Sequence, residues 1–206
     1  MPGTILAFDT SAAHCAAALF QDDTCLAAIC EPMKRGQGER LFPLLEELLA
    51  GVGKDWRDLA VIGVGVGPGN FTGIRLSVSA ARGLSLSLNI PAVGVTSLEA
   101  LAHGHPRPCV ALVDARLGRA YAQTFENSEN RENSSPTLLE MDEIETLYPA
   151  LPRLTLEHTD GAEIAKSIAQ IAATRWQNAP APAPLYIRAA DAAPSSDPPP
   201  VILDAT

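Results

Sequence analysis

The sequence predicts an α/β protein of two units: a mixed β-sheet with helices on its faces, then a smaller second unit. Three observations predict it. Short apolar runs stand close together over residues 4–8, 15–20 and 26–30, the spacing of an antiparallel meander. Helical and strand-like patterns then alternate up to residue 102, which calls for further strands with helices packed on the sheet. A new apolar run over residues 109–113 ends in Asp114, as the first run ends in Asp9, which hints at one fold used twice.

Composition supports a folded core. Of 206 residues, 47% are hydrophobic and 19% charged, while aromatics are only 5%. The core is therefore expected to be built from Ala, Val, Ile and Leu. A net charge of -9 gives no basic footprint for nucleic acid. Cys15, Cys25, Cys30 and Cys109 form no C-x-x-C, and Cys15 and Cys109 read as buried thiols. The opening residues have neither the charged lead nor the long apolar stretch of a signal peptide. No apolar run reaches the length of a membrane span. A reduced, cytoplasmic protein with no membrane partner is the expectation.

Asp9-Thr10-Ser11 closes the first run. A carboxylate with two hydroxyls at a strand end can face a phosphate or a magnesium ion, or can simply cap a turn through its own backbone. Leu41, Leu44, Leu45 and Leu48 recur at helical spacing, and Phe42 and Leu49 widen their stripe. The apolar arc spans roughly 160°, against about 100° for a surface helix facing its own core. Deep burial and a second, partner-binding surface are both open readings. Pro43 is placed near the first turn of this helix, where a missing N–H costs least.

Residues 59–66 read as a strand that runs into Gly65-Val-Gly-Pro-Gly-Asn-Phe-Thr-Gly-Ile-Arg75 and then an apolar helix to residue 88. Gly65, Gly67, Pro68 and Gly69 make the turn, and Thr72 and Gly73 are read as the helix start with Thr72 as cap. A glycine-rich turn before a helix can cradle a phosphate. The spacing here fits neither G-x-G-x-x-G nor the lysine-containing P-loop, so a close-packed connection is the other reading. Arg75 and Arg82 are the helix's only charges and lie on one edge; the rest is apolar or small. Two adjacent over-apolar helices suggest a shared partner surface, with Leu41, Leu44, Leu45, Leu48, Ile74, Arg75, Val78 and Ala81 as its candidates.

A strand over residues 91–95 and a helix capped by Thr96 or Ser97 complete a βββαβαβα first half. A hairpin turning at Leu117-Gly118, a polar loop over 127–135, a short helix over 142–147 and a helix over 161–176 follow. Leu185-Tyr-Ile-Arg188 reads as a last docked strand, and residues 189–206 as a proline-rich, mobile tail. The expected division is 1–105, 106–188 and that tail. His103-Gly-His105 stands beside two prolines and forms no spaced pair for a metal.

The most specific stretches are Ile5-Leu-Ala-Phe-Asp-Thr-Ser11, Gly-Pro-Gly-Asn-Phe-Thr-Gly-Ile-Arg75, Val113-Asp-Ala-Arg-Leu-Gly-Arg-Ala-Tyr121 and Pro184-Leu-Tyr-Ile-Arg188. They resemble the TsaB (YeaZ) family, paralogues of TsaD, densely over residues 4–121. The resemblance implies the actin/Hsp70/sugar-kinase superfamily fold: two ribonuclease-H-like lobes, here with the second lobe reduced. It implies a non-catalytic scaffold in formation of threonylcarbamoyladenosine beside the tRNA anticodon. Its implied partners are a TsaD-like catalytic subunit, a TsaE-like ATPase, and itself as a homodimer without TsaD; tRNA is met only through the complex. The resemblance places Asp9, Thr10, Ser11, Asp114 and Arg116 where the superfamily's phosphate loops lie, without the usual lysine or glycine support, so no cofactor is expected. Where TsaD has its H-x-x-x-H metal pair, this chain has Ser97 and Leu101, which cannot ligate as imidazoles do, so no metal is expected. The alternatives are an ATP-dependent phosphotransferase or ATPase, and a metallopeptidase.

Overall fold

The computed structural model describes residues 3–126 and 134–187. The first sheet holds β1 (Thr4–Asp9), β2 (His14–Gln21), β3 (Thr24–Pro32), β4 (Leu59–Gly65) and β5 (Ala92–Val95), in the order β3-β2-β1-β4-β5. The first three strands are antiparallel, and β4 and β5 run parallel to β1. The parallel pairs need crossovers, which carry the helices α1 (Gln37–Gly51) and α2 (Phe71–Leu88), and α3 (Ser97–Ala102) follows β5. This is the ribonuclease-H-like order, and it reproduces the βββαβαβα reading.

The second sheet holds β6 (Cys109–Arg116), β7 (Arg119–Phe125), β8 (Thr137–Glu140) and β9 (Arg153–Thr155), in the order β8-β7-β6-β9. Again three antiparallel strands are joined by one parallel to the first. Helix α4 (Met141–Leu147) precedes β9 as α1 precedes β4. The second sheet thus repeats the first without its fifth strand. Sequence reading missed β8 and β9, which are short and only partly buried.

Alternation along β1 explains the layering. Ile5 and Ala7 point to one face of the sheet, Leu6 and Phe8 to the other, and all four are fully buried. The Leu6/Phe8 face is covered by α1 and α2. The Ile5/Ala7 face is covered by α3 and α5 (Gly161–Arg175), which also pack against Cys109, Ala111 and Val113 of β6. Helix α5 belongs by sequence to the second half yet closes the first sheet, so one core joins the two sheets. A smaller cluster of Val110, Leu112 and Ile144 closes the outer face of the second sheet under α4.

Three local expectations are corrected. Asn70, not Thr72, caps α2: its side chain accepts from Thr72 N and Gly73 N, so the helix begins at Phe71. Pro43 lies in the second turn of α1, not the first. Residues 181–187 form no strand; a single backbone bond, Leu185 N to Val66 O at 2.9 Å, ties them to the end of β4. The tail over 189–206 and most of the loop over 127–135 lie outside the described residues.

Candidate functional site

Two places on the molecule concentrate chemistry. The first is the end of β1. Asp9 is 1% exposed. Its Oδ2 accepts from Ser11 N at 3.1 Å and Ser11 Oγ at 3.0 Å, and lies 2.8 Å from His14 Nε2. Ser11 Oγ also meets Ser97 Oγ at 3.3 Å. Thr10 Oγ1 donates to Gly73 O at 2.7 Å, Asn70 N to Ser11 O at 2.6 Å, and Ser97 N to Gly67 O at 2.8 Å. The glycine turn is therefore stitched onto the loop that follows β1.

The glycines are required by that contact. A Cβ on Gly65 would overlap the Asp9 carboxylate, and one on Gly73 would overlap the Thr10 carbonyl. Asp9 Oδ1 has no hydrogen-bond partner and rests against Gly65. The turn also uses its own donors. Asn70 N serves Ser11, and Thr72 N and Gly73 N serve the Asn70 side chain. A phosphate cradle needs those N–H groups free. Of the two readings of this turn, the geometry favours the close-packed connection. Pro68 follows Gly67 through a cis peptide bond.

The other phosphate-loop candidates lie elsewhere. Asp114 is exposed and accepts from Arg116 N at 2.9 Å. Arg116 and Leu117 take left-handed backbone angles at the tip of the β6–β7 hairpin. Ser97 and Leu101 are both buried, as the first and fifth residues of α3. His14, which sequence reasoning missed, had one available signal: it stands five residues after Asp9, across a tight turn.

The second place is the outer face of α1 and α2. Here the choice of side chains is corrected. Leu41, Leu44, Leu45, Leu48, Ile74, Val78 and Ala81 are all buried beneath the helices against the first sheet. The wide stripe of α1 is the stripe of a deeply buried helix, and those seven side chains present nothing outward. Arg75 alone of the candidates is exposed.

The outward surface is made by other residues. A groove of about 480 Å³ runs between the helices, lined by Phe42, Leu76, Ser79, Ala80, Gly83, Leu84 and Ser87. At 100° per residue, Arg82, Arg75, Leu86, Ser79, Gly83 and Leu76 follow one another around roughly 120° of α2. Leu86 is 86% exposed. At the start of α2 the Arg75 guanidinium stacks 3.8 Å from the centroid of the half-exposed Phe71 ring. Its Nε donates to Tyr186 Oη at 2.9 Å, and the two aromatic rings are 5.6 Å apart. So Leu86 stands beside the α2 side of this groove and Phe42 lines it, while the exposed Phe71 and Tyr186 cluster with Arg75 at the start of α2. The small residues Ser79, Gly83 and Ser87, four apart, would let another helix approach closely.

One charge cluster on α1 is internally paired. Arg40 is clamped by Glu31 and Glu47, with N–O distances of 2.6 Å to each. The hydrogen bonds from Arg40 hold both carboxyls below the usual glutamate range and push the guanidinium up. Burial pushes the Cys15 thiol, under α1, up to about 12.

Comparison with known proteins places this architecture. The family described as "TsaD: tRNA N6-adenosine threonylcarbamoyltransferase" matches residues 31–179. The Escherichia coli K12 "tRNA threonylcarbamoyladenosine biosynthesis protein TsaB" is 34% identical over 131 residues, 61% of this chain and 56% of that protein. The Bacillus subtilis protein of the same name is 37% identical over 127 residues, 60% and 55% of the two chains. These alignments span little more than half of the relatives' length. An uncharacterised protein of Mycobacterium tuberculosis is 30% identical over 93% of this chain and 94% of its own. Among solved structures, YeaZ from Pseudomonas aeruginosa superimposes with a TM-score of 0.72 at 25% identity, covering 89% of this chain and 99% of that one. The chain belongs to the TsaD family, and its named curated relatives are TsaB proteins.

Proposed function

We propose that this chain is a non-catalytic scaffold and activator in tRNA threonylcarbamoyladenosine biosynthesis, acting by docking a TsaD-like catalytic subunit on the outer face of α1 and α2. The observation that carries the reading is the groove lined by Phe42, Leu76, Gly83 and Leu84, with Leu86 exposed on the same helix. Contiguous exposed apolar surface of this kind marks interaction sites, and the small residues of α2 fit an approaching helix. A TsaE-like ATPase joins the pair elsewhere, and tRNA is reached through the complex rather than by this acidic chain. Without TsaD, two copies pair through the same groove. No reaction is assigned to the chain itself. The glycine turn serves the fold, since its N–H groups bond to its own loop and cap. The protein works in the cytoplasm, where the tRNA reached by the complex resides.

The test is co-purification of the chain with a TsaD-like partner, comparing wild type with Ser79→Arg and Ser87→Arg. Both positions are outward on α2. Loss of the pair with an unchanged circular dichroism spectrum is expected. Full binding by both variants would remove the groove from the interface.

A further inference from the structure

Leu76 lines the apolar groove and also a second cavity of about 480 Å³, set where α1 and α2 begin side by side. Lys34 and Arg35, just before α1, line this cavity together with Gln37, Glu39 and, from α2, Thr72. Both cations are exposed. Among the described residues neither has a carboxylate in ion-pair range. Arg40, the next cation along the chain, is by contrast fully occupied by Glu31 and Glu47.

We propose that this cavity receives carboxylate side chains of the TsaD-like partner, so that the docked segment is apolar along the groove and acidic at the end over Lys34 and Arg35. The inference rests on the docking reading above and names the chemistry of the surface that docks. Charge complementarity selects the occupant. The chain carries a net charge of -9, so two unpaired cations in one cavity reverse its sign locally. Glu39 is the acidic lining residue among those described, and the two cations outweigh it.

The backbone adds to the same sign. Gly36 precedes α1 and has no side chain to cap it, so the first N–H groups of α1 lack the acceptor that Asn70 supplies on α2. A carboxylate over the cavity gains charge-assisted hydrogen bonds from the two cations. A polyanion such as tRNA fits less well. Glu39, Glu46 and Glu47 are exposed along α1 and would repel its neighbouring phosphates, whereas carboxylates at one end of a protein segment meet only the cavity.

The experiment measures binding of the full chain to its TsaD-like partner by surface plasmon resonance, at low and at high salt. Wild type is compared with a Lys34→Ala, Arg35→Ala variant, a Lys34→Glu, Arg35→Glu variant and Ser79→Arg. Both cations are exposed and unpaired, so the charge variants should keep the unfolding midpoint of wild type. The alanine variant should bind about tenfold more weakly at low salt, chiefly through slower association, and the glutamate variant more weakly still, with both losses shrinking at high salt. Wild-type affinity in both charge variants, with Ser79→Arg weakened, would overturn the proposal and leave docking in the groove standing. Wild-type affinity in all three would refute the docking reading and the proposal with it. Weakening by the charge variants alone would keep the cavity as a TsaD contact and remove the apolar groove. Equal weakening by alanine and glutamate, insensitive to salt, would make the two residues packing contacts and overturn the carboxylate assignment. Binding of bare tRNA by the isolated chain, lost in the charge variants while TsaD binding is unchanged, would assign the cavity to nucleic acid and overturn it too.

Discussion

Replacing Gly73 by alanine isolates what the glycine turn does. A Cβ there would overlap the carbonyl of Thr10, which is backbone and cannot swing aside. To make room, the loop after β1 must separate from the first turn of α2. That move strains or breaks Thr10 Oγ1 to Gly73 O and Asn70 N to Ser11 O, each contributing about 0.5–1.5 kcal/mol. Overpacking adds about 1–3 kcal/mol. The sum is a loss of about 2–6 kcal/mol, or a fall in Tm of roughly 4–24 °C for a chain this size. Gly83→Ala is the matched control: the same change in the same helix, with nothing within 4 Å of the added methyl. It should stabilise by about 0.5–1 kcal/mol, the helix preference of Ala over Gly. Urea unfolding followed by circular dichroism measures both. A Gly73→Ala protein within about 0.5 kcal/mol of wild type, the scatter of a neutral surface change, would refute the idea that the turn is glycine-rich for close approach.

Further outcomes follow from the same geometry. Asp9→Ala should lower stability by about 2–4 kcal/mol in urea titration, because Ser11 and His14 lose a buried charged acceptor; an effect below about 0.5 kcal/mol would show the cluster to be unimportant. Iodoacetamide near pH 8 should modify exposed Cys25 first, and buried Cys15 and Cys109 only after unfolding, as read by peptide mass spectrometry. Because the folded Cys15 thiol is raised to about 12, its contribution is complete below the unfolded thiol's range and is lost as pH rises towards the folded value. Stability should therefore fall by up to about 1.4 kcal/mol per pH unit on the alkaline side, and Cys15→Ala should flatten that fall. Glu31 and Glu47 are held low by Arg40. Their contribution is present at neutral pH and lost as pH falls through the carboxylate range, more weakly in high salt; Arg40→Ala should remove this acid sensitivity. Calorimetric titration of Mg-ATP into the isolated chain should give no micromolar binding, since the α2 cap and turn already use their donors.

The first sheet was legible in the sequence because β1, β2 and β4 are buried on both faces and its helices carry clear periodicity. Residues 5–8 and 15–20 are almost continuous apolar runs, and Thr96-Ser-Leu-Glu99 is a capping box that the structure closes in both directions. The second sheet was less legible because β8 and β9 are short and partly exposed. A pattern of two leaves little trace in three or four residues. The site was legible as a pair of helices but not as a set of side chains. Periodicity finds a helix's apolar side and cannot say whether that side faces its own sheet or a partner. Leu45, fully buried, had the strongest pattern and faces inward, so Leu45→Glu would test folding rather than docking. The outward groove is lined in part by Ser79, Gly83 and Ser87, which carry no hydrophobic signal, and by Phe42 at the edge of the leucine stripe. The contact between Gly73 and Thr10 joins residues 63 apart, and no local pattern announces it.

The most direct test of the account is a calorimetric titration of this chain with its TsaD-like partner, comparing wild type with Gly83→Arg. Residue 83 is exposed, and the space outside its Cα is open in the isolated chain, so the arginine is accommodated without loss of fold. The account predicts that Gly83→Arg weakens the complex by about 100-fold or more, the ~2.7 kcal/mol or more expected at a hot spot in a close helix–helix contact, while its unfolding midpoint stays near that of wild type. An affinity equal to wild type in a folded Gly83→Arg protein would contradict the central claim that TsaD docks between α1 and α2.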